Sequence, residues 1–222
     1  AGDLTKKALD LYQRGQAETA REMLDQAVER DPGFVPARVN LIKIHGDAGR
    51  YDLAEEHYRA AIATSPNAQR ARFNYARVLS QPRRLGEAQA ELERVVEINP
   101  HLADAQVLLG SIHEEQGRFD EAIRHYEQAL ESKPENPQAN LMLARHRLRA
   151  GRLDEAEAHA RRLLGAETES LPILVYRLGL FYRQEGHETR AREILAEARR
   201  LAEAAGRVRL VREIDQRLEE GS

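Results

Sequence analysis

The sequence contains no cysteine and no tryptophan, and few of its residues are aromatic. Without cysteine, disulfides, thiolate catalysis and cysteine-ligated zinc are excluded, whereas the compartment stays open. The longest apolar run, LPILVY at 171–176, is far too short to span a bilayer, and no secretory signal is recognisable. The chain begins Ala-Gly-Asp without methionine, which indicates processing or excision from a longer protein. The cytoplasm is the favoured compartment, with the periplasm the alternative if a signal peptide was removed.

Positive and negative charges nearly balance, because 34 Lys and Arg face 37 Asp and Glu, for a net charge of −3. No overall basic field therefore attracts nucleic acid or a membrane. Thirty arginines stand against four lysines, which indicates a GC-rich, bacterial coding sequence and favours bidentate contacts to carboxylates. The many Ala, Leu, Glu and Arg residues predict an all-α protein.

One alanine recurs at a nearly constant interval along the chain. The interval is 34 residues four times and then 35, at Ala20, Ala54, Ala88, Ala122, Ala156 and Ala191. Twelve residues after the first four of these alanines stand Pro32, Pro66, Pro100 and Pro134. A period of 34 residues indicates tandem units, each of which buries its apolar face only against its neighbours.

Each unit carries two amphipathic helical patterns. In the fourth unit, one apolar face is formed by Phe119, Ala122, Ile123, Tyr126, Ala129 and Leu130. Gly117 falls in the turn before this helix, where positive φ is useful, and Pro134 ends it. Pro82 replaces the turn pattern of the third unit and predicts an early end of its first helix. An extra residue in 165–172 predicts a local break in superhelical pitch.

This spacing of alanine, glycine and proline resembles that of the tetratricopeptide repeat (TPR) family. In the fourth unit the matching residues are Leu109-Gly110, Ala122, Tyr126 and Pro134. The resemblance implies an all-α, right-handed TPR superhelix, an α-solenoid of stacked helix-turn-helix pairs. The six repeats would span 1–34, 35–68, 69–102, 103–136, 137–171 and 172–205. Residues 206–222 would form a C-terminal capping helix and tail, whose apolar face is Val208, Val211, Ile214 and Leu218. The N-terminal end has no such cap.

No residue pattern predicts catalysis. His57, His125 and His159 occupy one equivalent position per repeat, too far apart to share a metal, and His45 and His113 are predicted to pack in the interior. Carboxylates lie beside arginines at helical spacing, as in EAEAHARR (155–162), which predicts a solvated, salt-bridged face. The sequence therefore predicts no enzyme activity, no catalytic residue, no metal and no cofactor.

The resemblance implies a concave groove lined by the first helix of each repeat, where the family binds peptides. Apolar groove contacts would come from Val39, Phe73, Val107 and Tyr176. Asn40 and Asn74 would bind an extended backbone, and Lys43, Arg77 and Arg145 would pair with acidic groups. The alternative for each residue is packing between helices or pairing with Asp47 or Glu114. The carboxylate-clamp pattern of chaperone-tail binders does not match.

These observations predict a non-catalytic interaction module that binds a protein or peptide ligand, with an acidic ligand fitting the cations. The alternatives are a scaffold that self-associates through its uncapped N-terminal face, and an accessory TPR arm of a larger enzyme or assembly. RNA binding ranks lowest, because acidic residues interleave with Arg145, Arg149, Arg177 and Arg183.

Overall fold

The structure, a computed structural model, describes residues 1–81, 83–163 and 171–220. Within these ranges every regular element is a helix, and there is no strand. The first seven helices are α1 (Gly2–Gln13), α2 (Ala17–Arg30), α3 (Val35–Asp47), α4 (Tyr51–Thr64), α5 (Gln69–Leu79), α6 (Leu85–Ile98) and α7 (Ala103–Glu115). The others are α8 (Phe119–Ser132), α9 (Pro137–Arg149), α10 (Leu153–Arg161), α11 (Leu171–Gln184), α12 (Glu188–Ala204) and α13 (Val208–Glu220).

The chain forms two compact units, one of which spans Ala1–Gly117 while the other begins at Arg118. Within the first unit α1 packs on α2, α3 on α4 and α5 on α6, and the first helices α1, α3 and α5 also contact one another in order. Within the second unit α9 packs on α10, α11 on α12, and α9 contacts α11. Each unit is therefore a stack of helix pairs with its first helices along one face.

A glycine in the left-handed region joins the helices of most pairs. Gly117 has φ of +74° and Gly151 has φ of +70°, as the sequence predicts for these turns. The third pair lacks this glycine, and its first helix α5 ends at Leu79 after 11 residues, where α3 has 13. The early end is confirmed. Pro82 itself, and most of the segment expected to alter the pitch, lie outside the described residues.

The periodic prolines accept a hydrogen bond as well as ending helices. The side chain six residues after each one donates to its carbonyl oxygen at 2.8–3.0 Å. These pairs are Arg38–Pro32, Arg72–Pro66, Gln106–Pro100 and Asn140–Pro134. Four different donors thus satisfy a carbonyl that the preceding helix leaves without a helical partner.

The periodic alanines lie where helices cross, and all six are buried. Gly179 marks another close approach, because a Cβ built there would stand 2.8 Å from Leu195 Cδ2 and 3.3 Å from Leu195 N. Near the end of the chain α13 packs on α12, and its Ile214 is fully buried. Val211 and Leu218 are half-buried against the same cluster. Val208, expected on this apolar face, is instead 62% exposed because it opens the helix.

Candidate functional site

In the first unit, a pocket opens between α3 and α5. It is lined by Lys43, Gly46, Asp47, Tyr51, Asn74, Arg77, Val78 and Gln81. Three residues predicted for the groove, Lys43, Asn74 and Arg77, therefore meet in one place. Asn74 Nδ2 donates to the carbonyl oxygen of Val39 at 3.0 Å, so that its amide ties α5 to α3. The pocket is polar, with an amide and charges of both signs.

The cations of this α3–α5 pocket form no ion pair within the part of the chain that the structure describes. Lys43 Nζ lies 4.7 Å from the centroid of the Tyr12 ring, a cation–π contact. The carboxylate of Asp47 accepts a hydrogen bond from the Tyr12 hydroxyl instead of pairing with Lys43 or Arg77. Burial and this hydrogen bond raise the pKa of Tyr12 to about 12, so the phenol stays protonated at neutral pH.

The other groove residues predicted in the first unit do not line the α3–α5 pocket. Val39 is 6% exposed, and Phe73 is half-buried against the core of α3–α7. Asn40 Nδ2 donates to the carbonyl oxygen of Pro36 in its own helix at 2.8 Å. Val107, on α7, is half-buried and lies outside the α3–α5 pocket.

In the second unit, a pocket opens between α9 and α11. Its apolar lining consists of Leu141, Met142, Leu148, Ile173, Leu174 and Phe181. Its charged lining consists of Arg145, Arg149 and Arg177, with no carboxylate among the lining residues that the structure describes. Arg145, predicted for the groove, lies with its Nη1 3.2 Å from Met142 Sδ.

Arg149 and Arg177 are exposed, and neither has an ion-pair partner among residues 1–81, 83–163 and 171–220. Nearby arginines behave differently, since Arg161 Nε donates to Glu157 Oε1 at 2.8 Å and Arg147 Nε lies 3.2 Å from Glu155 Oε2. The guanidinium groups of Arg149 and Arg177 are thus open to an external anion.

Two sequence profiles described as tetratricopeptide repeat match this chain. One matches residues 11–56 and 46–112, and the other 107–172 and 141–206. The chain belongs to the tetratricopeptide repeat family. The two matches confirm the resemblance inferred from the alanine, glycine and proline spacing, and TPR proteins bind protein partners. No curated protein matches the sequence significantly.

Solved structures show the same TPR fold. PilF of Pseudomonas aeruginosa matches with a TM-score of 0.80 and 19% identity, over 97% of this chain and 96% of that chain. PilW, described as a type IV pilus biogenesis factor, matches with a TM-score of 0.74 and 20% identity, over 96% and 97%. MamA matches with a TM-score of 0.60 and 22% identity, over 71% and 92%.

Tyr176, predicted as an apolar contact in the TPR groove, is buried between α11 and α13. It is 6% exposed, and its hydroxyl donates to Glu213 Oε1 at 2.8 Å, which ties α11 to α13. Burial, followed by this hydrogen bond, raises the pKa of the phenol. Met142 and Phe181 were not predicted for the groove. Met142 lies three residues before Arg145 and Phe181 four residues after Arg177, so each shares a helix face with a pocket arginine and could have been predicted from that spacing.

A second charged cluster in this unit joins the helix pairs instead of facing the groove. Glu157, expected on a solvated face, is only 7% exposed and accepts bonds from Arg161, from Tyr182 at 3.0 Å and from Arg190 Nε at 3.2 Å. Burial alone would raise the pKa of Glu157, but these hydrogen bonds outweigh it and lower that pKa below its usual range. The carboxylate is therefore an ionised link between α10, α11 and α12.

His45 is buried in the first unit, as predicted, and the half-buried His57 packs against it. The His45 and His57 rings stack with centroids 5.3 Å apart, and neither Nδ1 has a hydrogen-bond partner. Burial lowers the pKa of both imidazoles, and the second ring lowers that of His45 further. Among the described residues no group of three or more His, Asp or Glu side chains could hold a metal ion. No helix in those ranges is long and apolar enough to cross a membrane.

Proposed function

We propose that this TPR protein is a non-catalytic interaction module that holds a peptide or protein partner on the faces formed by its first helices. The observation that carries the proposal is the pair of pockets between consecutive first helices, one in each unit. Both offer cations that have no ion pair in the described chain, Lys43 and Arg77 in one, and Arg149 and Arg177 in the other.

An acidic partner fits these faces. Guanidinium groups bind carboxylates through two parallel hydrogen bonds, and exposed cations accelerate the approach of an oppositely charged ligand. Asn74 offers a carboxamide beside the cations, and its oxygen is available to an extended backbone. The partner would therefore be an acidic segment held by its side chains, by its backbone or by both.

A binding role also agrees with the chemistry of the α3–α5 pocket. A general base works best with a pKa near the operating pH, whereas the pKa of Tyr12 is about 12 and its hydrogen bond to Asp47 is internal. The Tyr12–Asp47 pair beside this pocket is therefore suited to holding α1 and α3 together, and we propose no proton transfer for it.

Affinity capture from the lysate of the source cell tests the proposal. The pocket variant carries Lys43→Glu, Arg77→Glu and Arg145→Glu. The matched control carries Arg30→Glu, Arg124→Glu and Lys133→Glu, three exposed cations outside the first helices. A partner retained by wild type and control but lost from the pocket variant, identified by mass spectrometry and then bound directly, supports the proposal.

The other outcomes are equally informative. A partner that binds all three proteins equally contradicts a role for Lys43, Arg77 and Arg145. Recovery of this chain alone, together with a mass that rises with concentration, would favour the self-associating scaffold instead.

A further inference from the structure

The α9–α11 pocket combines features that point to a particular kind of ligand, and the inference drawn here rests on the proposed function. Its volume of about 290 Å³ is enough for one or two bulky side chains of a partner.

The lining keeps apolar surface in contact with solvent. Ile173 is 38% exposed, and Met142 and Phe181 are only half-buried, while Leu141 and Leu174 close the floor. Burying this surface under a partner is favourable by about 25 cal/mol per Å². Met142, with its flexible thioether, can adapt to different apolar side chains.

The rim of the pocket is positively charged. Arg149 is the last residue of α9 and Arg177 lies in α11, so cations flank the apolar floor on both helices. Carboxylates on either side of an apolar anchor would satisfy both guanidinium groups, whereas lysines there would be repelled.

We infer that the α9–α11 pocket receives a bulky apolar side chain of a partner peptide whose flanking residues are Asp or Glu. The pocket walls hold the apolar anchor, and Arg149 and Arg177 hold the flanking carboxylates. This surface gives the second unit a preference for acidic peptides with an apolar centre over acidic peptides without one.

Fluorescence anisotropy with three labelled peptides at physiological salt tests this inference on the full chain. The first peptide is Asp-Glu-Asp-Leu-Phe-Leu-Glu-Asp-Glu. The second replaces its three central residues with alanine, and the third replaces its six acidic residues with lysine. We expect wild type to bind the first peptide at least tenfold more tightly than either of the others.

Variants then locate the binding. Arg149→Glu with Arg177→Glu should weaken binding of the first peptide at least tenfold. Arg124→Glu with Arg209→Glu, the same charge change at two exposed residues outside the pocket, should leave it unchanged. Because all four arginines are exposed, circular dichroism and melting temperature should match wild type for both variants.

Several results would overturn the inference. If Lys43→Glu with Arg77→Glu abolishes binding while the Arg149/Arg177 variant binds normally, the proposed function survives and the α9–α11 assignment falls. If no peptide binds although capture recovers a pocket-dependent partner, the ligand class is wrong. Tighter binding of a nine-nucleotide single-stranded RNA, lost in the Arg149/Arg177 variant, would assign the surface to nucleic acid. If neither peptides nor captured partners bind, both proposals fail.

Discussion

The two pockets occupy the same places in their repeats and differ in almost every side chain. Position for position, Lys43 corresponds to Arg145, Asp47 to Arg149, Asn74 to Arg177 and Val78 to Phe181. Charge is kept at the first of these positions, reversed at the second and gained at the third. The α3–α5 pocket is consequently a mixed polar site, and the α9–α11 pocket an apolar site rimmed by three arginines.

This difference teaches that the TPR scaffold supplies the location of a pocket and leaves its chemistry to a few side chains. Gly46 and Leu148 stand at another matched position and change the shape as well, because Val78 packs closely against Gly46, whereas Leu148 adds its own side chain to the pocket lining. Neighbouring residues then decide which charges remain available, since Asp47 is held by Tyr12 while Arg149 has no partner in the described chain.

The largest loss of stability is expected from Glu157, a charged residue outside the two pockets. If the pocket arginines serve binding and the paired arginines serve stability, removing the partner of the paired ones should destabilise the fold. Glu157→Gln removes the ionised acceptor of Arg161, Arg190 and Tyr182. We expect a loss of about 2 kcal/mol in the free energy of unfolding, measured by urea denaturation. Glu155→Gln, at a more exposed ion pair, should cost under about 1 kcal/mol. Equal losses would contradict the special role of Glu157.

An exchange of charge between the pockets should change affinity next most strongly. Arg149→Asp gives the α9–α11 pocket the acid that Asp47 supplies in the α3–α5 pocket. We expect it to weaken binding of the acidic peptide with an apolar centre about tenfold, or ~1.4 kcal/mol, by isothermal titration calorimetry. The matched control is Arg209→Asp on α13. Unchanged affinity for Arg149→Asp would show that the charge difference between the pockets has no bearing on ligand choice.

Gly179 and Gly46 both lie close to a side chain of the neighbouring helix, and replacing each with alanine should change stability by different amounts. At Gly179 the new Cβ would meet fully buried Leu195 and its backbone nitrogen, whereas at Gly46 it would meet only the side chain of half-buried Val78. Overpacking of about 2 kcal/mol, less a gain of about 1 kcal/mol in helix propensity, leaves a net loss of about 1 kcal/mol for Gly179→Ala. Gly46→Ala should cost less than Gly179→Ala, because half-buried Val78 on α5 can shift towards solvent, whereas buried Leu195 and its backbone nitrogen cannot. Thermal denaturation of both variants measures the contrast, and a larger loss at Gly46 would reverse it.

The free energy of unfolding should change gradually with pH, and we expect His45 and His57 in the first unit to cause this change. Because their folded pKa values are lowered, the unfolded chain binds more protons once the pH falls below about 6.5. Stability should therefore be full above that pH and fall until the folded pKa values are passed. The charged groups that act on the pair are Arg21, Asp25, Arg38, Arg50 and Glu56.

Urea denaturation at pH 7.5 and 5.5 measures this dependence. His57→Gln should lose less stability between the two pH values than wild type does. His101→Gln, at an exposed histidine, is the control and should behave as wild type. A wild-type pH dependence in the His57 variant would exclude the stacked pair as its source.

Much of the fold was predictable because the evidence for it is periodic. The spacing of Ala122, Gly117 and Pro134 predicted the crossing point, the turn and the end of a helix, and each depends on a local steric property of one residue. The candidate site was predictable only in part. Lys43, Asn74 and Arg77 were expected on the groove and do line a pocket, but Tyr176 packs against α13, because its orientation depends on a partner 37 residues away.

The same limit explains Glu157 and Val208. A helical charge pattern cannot reveal that Tyr182 and Arg190, from later helices, will cover one of several similar glutamates. An apolar stripe likewise cannot reveal that its first residue, Val208, lies beyond the surface that α12 offers. Both outcomes depend on neighbours that come together only when the helices stack.

By itself the sequence determined that this chain is a TPR protein built from helix pairs, because small residues, turn glycines and helix-ending prolines act within a few positions of themselves. Only the tertiary structure decided which charges are satisfied and which remain open. That choice depends on distances between side chains of different helices, and it separates the buried carboxylate of Glu157 from the exposed guanidinium groups of Arg149 and Arg177.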